Sequence, residues 1–162
     1  MREFNISTGG ATVTGSTTLV FLNPKAAPNP NLEFLRWWIG YTANATSAQQ
    51  RVQIVIQGTA FPTLTAATPQ KLKLSDPNAS IIVGSTNGAL GTAGTNSSND
   101  NAGAQTQLHD DAFNVLNGWL YVPTPPELIV MPAGFGSGIG MKFPVAPSTL
   151  TNWTFGTQFR EV

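Results

Sequence analysis

The only histidine, His109, stands directly before Asp110 and Asp111 in the run LHDD. An imidazole beside two carboxylates is the side-chain set of a metal site or an acid–base centre. A metal site in a β-sandwich usually draws on more nitrogen or thiolate ligands, and this chain has one histidine and no cysteine. LHDD therefore reads as a solvated loop end that leads into a strand. A glycosidase needs two facing carboxylates. The eight acidic residues (Glu3, Glu33, Asp76, Asp100, Asp110, Asp111, Glu127 and Glu161) lie in no motif that pairs them. A serine nucleophile would need His109 as its base. Gly136-Ser137-Gly138 lacks the spacing and the strand-to-helix setting of a nucleophile elbow.

The run GFGSGIG poses a second question, because dense glycine can cradle a phosphate. A dinucleotide turn needs Gly-x-Gly-x-x-Gly ahead of a helix, and a phosphate loop ends in Gly-Lys-Ser/Thr. Here the glycines fall on every second residue, at 134, 136, 138 and 140, and no helical pattern follows. If the segment is extended, Phe135, Ser137, Ile139, Met141 and Phe143 share one face. The other face is bare backbone until Lys142, open to close approach by another surface.

Four tryptophans remain: Trp37, Trp38, Trp119 and Trp153. Burying one removes roughly 200 Å² from water, on the order of 5 kcal/mol at ~25 cal/mol per Å². Core packing is the first expectation, and a sugar-binding platform the second. Trp37 and Trp38 point to opposite faces of one strand, so at most one of them serves a given surface.

The elements that must position these residues are strands. Ala11 to Leu22 is rich in β-branched residues and ends at Asn23-Pro24. Leu32 to Tyr41 (LEFLRWWIGY) is apolar on both faces and reads as a central strand. By simple alternation Phe34, Arg36, Trp38 and Gly40 share one face, with Leu35, Trp37, Ile39 and Tyr41 on the other. Arg51 to Gln57 alternates, with Val52, Ile54 and Ile56 inward, and the short link before it predicts a hairpin with Leu32 to Tyr41. Short strands follow at Gln70 to Leu74 and Ser80 to Val83. The small, polar stretch Gly84 to Gln107 reads as a long loop. Ala112 to Val122 is a strand with an irregularity at Gly118. Glu127 to Met131, Ile139 to Phe143 and Trp153 to Phe159 complete the set. Eight or nine strands without a helix predict one antiparallel β-sandwich of jelly-roll type.

Composition removes several function classes. Only 10% of the 162 residues are charged, and eight basic residues balance eight acidic ones. The basic residues are scattered, so the clustered charge that phosphate contacts need is missing and nucleic acid is not expected as a partner. No apolar run reaches membrane-spanning length, and no membrane partner is expected. The first ten residues carry no apolar leader. With so little charge, solubility rests on neutral polar groups, which suits a crowded assembly.

The run LRWWIGYTANATSAQQRVQIVIQ resembles a pattern found in small structural proteins of tailed bacteriophages: an apolar strand (Leu35 to Tyr41), a Thr/Ala/Asn turn, and an arginine, Arg51, opening the next strand. NGWLYVPTPPELIVMPAGFGSGIGMKFPVAP is similar to the later part of that pattern. NWTFGTQFREV is similar to its last strand, with Glu161 near the end. The resemblance runs from Thr17 onward, leaving out the Gly84 to Gln107 stretch. It implies a non-enzymatic virion component: a head decoration or cement protein of jelly-roll fold, trimeric on the capsid surface. Its implied partners are the major capsid protein and copies of itself, and it implies neither cofactor nor catalytic residues. The alternative is a carbohydrate-binding or adhesin module of a tail fibre. Residues 1–10 are expected to form an arm on the 11–162 sandwich. Phe4, Asn5 and Ile6 in the arm, with Gly136 and Gly138 on the smooth strand, are the expected contacts with neighbouring subunits.

Overall fold

A computed structural model describes residues 1–13, 18–22, 30–43, 46–58, 62, 65–80, 90–92, 104–132 and 137–162. Among these the chain is nearly all β, and two antiparallel sheets form a sandwich. Sheet A contains β1 (Arg2–Ala11), β3 (Leu32–Tyr41), β6 (Gln70–Lys71), β9 (Trp119–Tyr121), β10 (Ile129–Met131) and β12 (Trp153–Glu161). Sheet B contains β2 (Thr18–Leu22), β4 (Gln49–Gln57), β5 (Thr65–Ala66), β7 (Leu90–Thr92), β8 (Gln105–Asn114) and β11 (Gly138–Lys142). In sheet A the order is β10-β3-β12-β1-β6, with β9 also on β3; in sheet B it is β5-β7-β2-β11-β4-β8. The first and last strands therefore lie side by side within sheet A.

Residues 1–10 are not an arm. REFNIS alternates polar with apolar, and that period turns Phe4 and Ile6 inward. Both are buried in the chain's own core, where Phe4 lies opposite Phe159 and Ile6 opposite Thr157. They are thus unavailable as contacts for a neighbouring subunit. Polar bonds fasten the end of β1. Arg2 Nη2 lies 2.6 Å from Glu161 Oε2 and donates to Ser80 Oγ at 2.6 Å, while Ser80 N donates to Glu161 Oε1 at 2.7 Å. Asn5 stands on the outward face of sheet A, opposite Gln158. Gly138 is buried at the start of β11, paired with Gln57 of β4, not on a free surface, and Gly136 falls outside the described residues.

The expected hairpin is replaced by a crossing. β3 joins sheet A and β4 joins sheet B, so consecutive strands lie in different sheets. Each strand has an apolar side to bury, and facing each other across the sandwich buries both. The bounds of β3 fall where the sequence places them, but its facing does not follow simple alternation. Opposite β12, the register shifts between Gln158 and Phe159, leaving Leu35 as an extra residue. The bulge turns Phe34 and Trp37 to the same inner side, stacked at 5.0 Å, and sends Arg36 and Trp38 outward.

The core lies between the sheets. Phe4, Ile6, Phe34, Trp37, Ile39, Phe155 and Phe159 face Leu22, Val52, Ile54, Ile139, Met141 and Phe143. Trp153 closes one end. Its ring meets Phe143 at 5.0 Å and Tyr41 at 5.1 Å, both edge-on, and its Nε1 donates to Thr149 O at 2.8 Å. The LHDD run is not a loop end: it lies within β8, which begins at Gln105. Leu90–Thr92, expected inside the long loop, pairs with β2 as β7; residues 93–103 lie outside the described set. The expected strand Ala112 to Val122 is broken by a turn at 115–117, where Gly118 adopts a φ of 69° and opens β9.

Gly156, in the middle of β12, sits under Trp38. A Cβ at this position would collide with Ile6 O and Trp38 Cζ2 and stand 2.9 Å from Trp38 Cε2. Gly156→Ala must push both the ring and the β1 backbone, and overpacking of this kind costs about 2–3 kcal/mol. Urea unfolding checks it: the midpoint falls while the slope stays unchanged. Adding Trp38→Ala recovers part of the loss, because the collision with Ile6 O remains.

Candidate functional site

Two surfaces gather side chains able to do chemistry. The first is the open edge of the sandwich where β8 of sheet B meets β9 of sheet A. Along β8, His109 and Asp111 pair with the inward residues Ile54 and Val52, so they turn toward the gap between the sheets. Trp119 and Tyr121 turn into the same gap from β9, with parallel rings 6.0 Å apart. His109 packs on Tyr121 at 4.3 Å and lies 6.0 Å from Trp119. Trp119 Nε1 donates to Asp111 Oδ2 at 3.0 Å. His109 Nε2 is buried without a hydrogen bond among the described residues, 4.0 Å from Asp111 Oδ2.

Asp110 faces the other way. It accepts from the Arg51 guanidinium and from Gln53 Nε2, the latter at 3.2 Å. Asp110 and Asp111 therefore occupy opposite faces of β8 and do not form a two-carboxylate centre. Among the described residues no three His, Cys, Asp or Glu side chains converge on a metal position. The edge acts as a clasp: one hydrogen bond and a stack of three rings tie the rim of sheet B to the rim of sheet A.

The charges of the clasp follow from these partners. The Trp119 indole N–H, then the Ala112 backbone N–H, hold the Asp111 carboxyl below its usual range. The hydrogen bond from Arg51 does the same for Asp110. Burial, then the nearby Glu127 carboxylate, pushes the Tyr121 phenol up. Because the folded pKa of Asp111 is depressed, its contribution is present above the unfolded value near ~3.9 and is lost as pH falls through the lower folded value. The Trp119 indole N–H is therefore expected to exchange faster with solvent as pH falls from about 5 to 2. In Asp111→Asn, which has no carboxylate to titrate, that acid step is absent. Indole hydrogen exchange followed by NMR checks both.

The second surface is the outward face of sheet A. Its cross-strand rows follow from the register. One row runs Gln70, Asn5, Gln158, Arg36; the next runs Ser7, Gly156, Trp38, Leu120. Trp38 is half-buried, its indole packed over Gly156, and the Arg36 guanidinium sits 5.3 Å from the ring centroid. Leu120 beside it is 63% exposed. Asn5 Oδ1 is buried and accepts no hydrogen bond among the described residues. A further row holds Glu3, Arg160 and Glu33, with Arg160 Nε bonded to Glu33 Oε2.

Of the four expected contact residues among the described ones (Phe4, Asn5, Ile6 and Gly138), only Asn5 stands on this outward face. The residue the sequence reading passed over is Gly156. Its signal was available: a lone glycine inside an apolar strand marks a close approach. Comparison of the chain with protein-family models, with curated proteins and with solved structures found no match.

Proposed function

We propose that this chain is a non-enzymatic structural protein of a tailed-bacteriophage virion, a decoration protein that binds the major capsid lattice as a homotrimer. The observation that carries this reading is the strand order. With β9 and β10 taken together, β1-β12-β3-β9/β10 packs on β2-β11-β4-β8, and the first and last strands are neighbours. That order supports a jelly-roll wrap, an architecture common in capsid domains. The weakly charged surface supports it too. Lattice binding repeated by symmetry needs shape-complementary neutral contacts more than it needs charge.

Sedimentation with capsids that lack the chain tests it. Saturable co-sedimentation, at a fixed ratio to the shell protein, is expected. Purified chain that stays in the supernatant at every concentration overturns it.

A second reading, a saccharide-binding module of a tail fibre, is favoured by one observation: Trp38 packs on the outside of sheet A rather than in the core.

A further inference from the structure

We propose that the outward face of sheet A around Trp38 binds a neutral saccharide, with one pyranose ring stacked on the indole. This rests on the observation behind the second reading, Trp38 outside the core, and not on where in a virion the chain sits. Trp37, next in the chain, is fully buried, so the core already has its tryptophan from this strand. Trp38 is a large aromatic held outside it.

Its ring is positioned before any ligand arrives. Gly156 directly opposite lacks a side chain, and the indole packs into that space. A fixed ring loses little freedom on binding. The apolar C–H face of a pyranose fits a strip made of Trp38 and exposed Leu120. Polar groups line one side of that strip. Arg36 and Gln158 are cross-strand partners in the next row, and Asn5 continues that row. Arg36 and Gln158 supply guanidinium and amide groups for ring hydroxyls. Arg36 lies over the indole but is exposed, so a sugar takes its place on the ring while its N–H groups reach the hydroxyls.

Charge selects the ligand class. On this face Glu3 and Glu33 balance Arg36 and Arg160, and Arg160 is already bonded to Glu33. The face has no net charge to match an acidic or basic ligand. It offers an aromatic face and neutral hydrogen bonding, the chemistry of a polyhydroxylated neutral ring.

Affinity electrophoresis of the full chain, in native gels cast with dextran, amylopectin, laminarin or galactomannan, tests the proposal. Wild type is expected to be retarded in at least one gel. Trp38→Ala, checked as folded by its thermal transition, is expected to bind about 30-fold more weakly or worse, as truncation of a central aromatic anchor does. Gln158→Ala is expected to weaken retardation in the same gel. No retardation of wild type in any gel overturns the proposal, as does equal retardation of Trp38→Ala. A concentration-dependent dimer that Trp38→Ala abolishes, without any saccharide effect, also overturns it and assigns the face to a second copy. Capsid co-sedimentation has its own readout and is unaffected by any of these outcomes.

Discussion

Removing residues 1–10 is expected to unfold the chain. The segment contains nine of the ten residues of β1, which lies between β12 and β6 in sheet A. Its deletion strips one edge of β12 and takes Phe4 and Ile6 out of the core. Truncating two buried side chains of this size costs about 2–5 kcal/mol each, against a total stability of about 5–15 kcal/mol. The Arg2–Glu161 contact goes as well, so the buried Glu161 carboxylate loses an ion-pair partner. Circular dichroism is expected to find no cooperative thermal transition in the truncated chain. A transition within a few degrees of wild type would mean that β1 is not part of the packed sandwich.

The adjacent tryptophans should separate sharply. Trp37→Ala is expected to cost about 4 kcal/mol, because Trp37 is fully buried and stacked on Phe34. For a chain of this size that lowers Tm by about 8–16 °C. Trp38→Ala removes an outward, half-buried ring and is expected to cost less than about 1 kcal/mol. Thermal unfolding of the two variants side by side checks the pair. Equal losses would show that the bulge at Leu35 does not set the facing of β3.

That bulge marks how far the sequence can be read. LEFLRWWIGY announced a strand over residues 32–41, and its bounds held, because apolar density and the flanking polar residues are local signals. Facing beyond Leu35 depends on where β12 shifts register, and no local pattern in β3 carries that. The 42–48 link is short enough for a hairpin, yet its two strands join different sheets, a choice made by packing rather than by length. Phe4 and Ile6 alternate with polar residues in REFNIS, yet the polar composition of residues 1–10 as a whole reads as an arm. LHDD reads as a loop end because segments between elements normally run over the surface. β8 tolerates the charges of this run because it is an edge strand, where charge also discourages stray pairing with another sheet. The clasp could not be read at all. It joins residues from two sheets, and it forms only because Gly118 takes a positive φ and turns the chain from one rim to the other.

The outward face of sheet A was half legible. The sequence placed Trp37 and Trp38 on opposite faces of one strand but could not say which faced the core. Gly156 was visible as a lone glycine in TFGTQF. Its meaning, a space filled by Trp38, depends on the β3–β12 register.

The proposed function makes this chain a repeated component of a phage head. Quantitative mass spectrometry of virions purified from a tailed phage whose genome carries the gene checks this. The chain is expected at a copy number near that of the major shell protein, and is expected to be lost from particles made without its gene. Absence of the chain from purified virions, or its presence in only a few copies per particle, would contradict it.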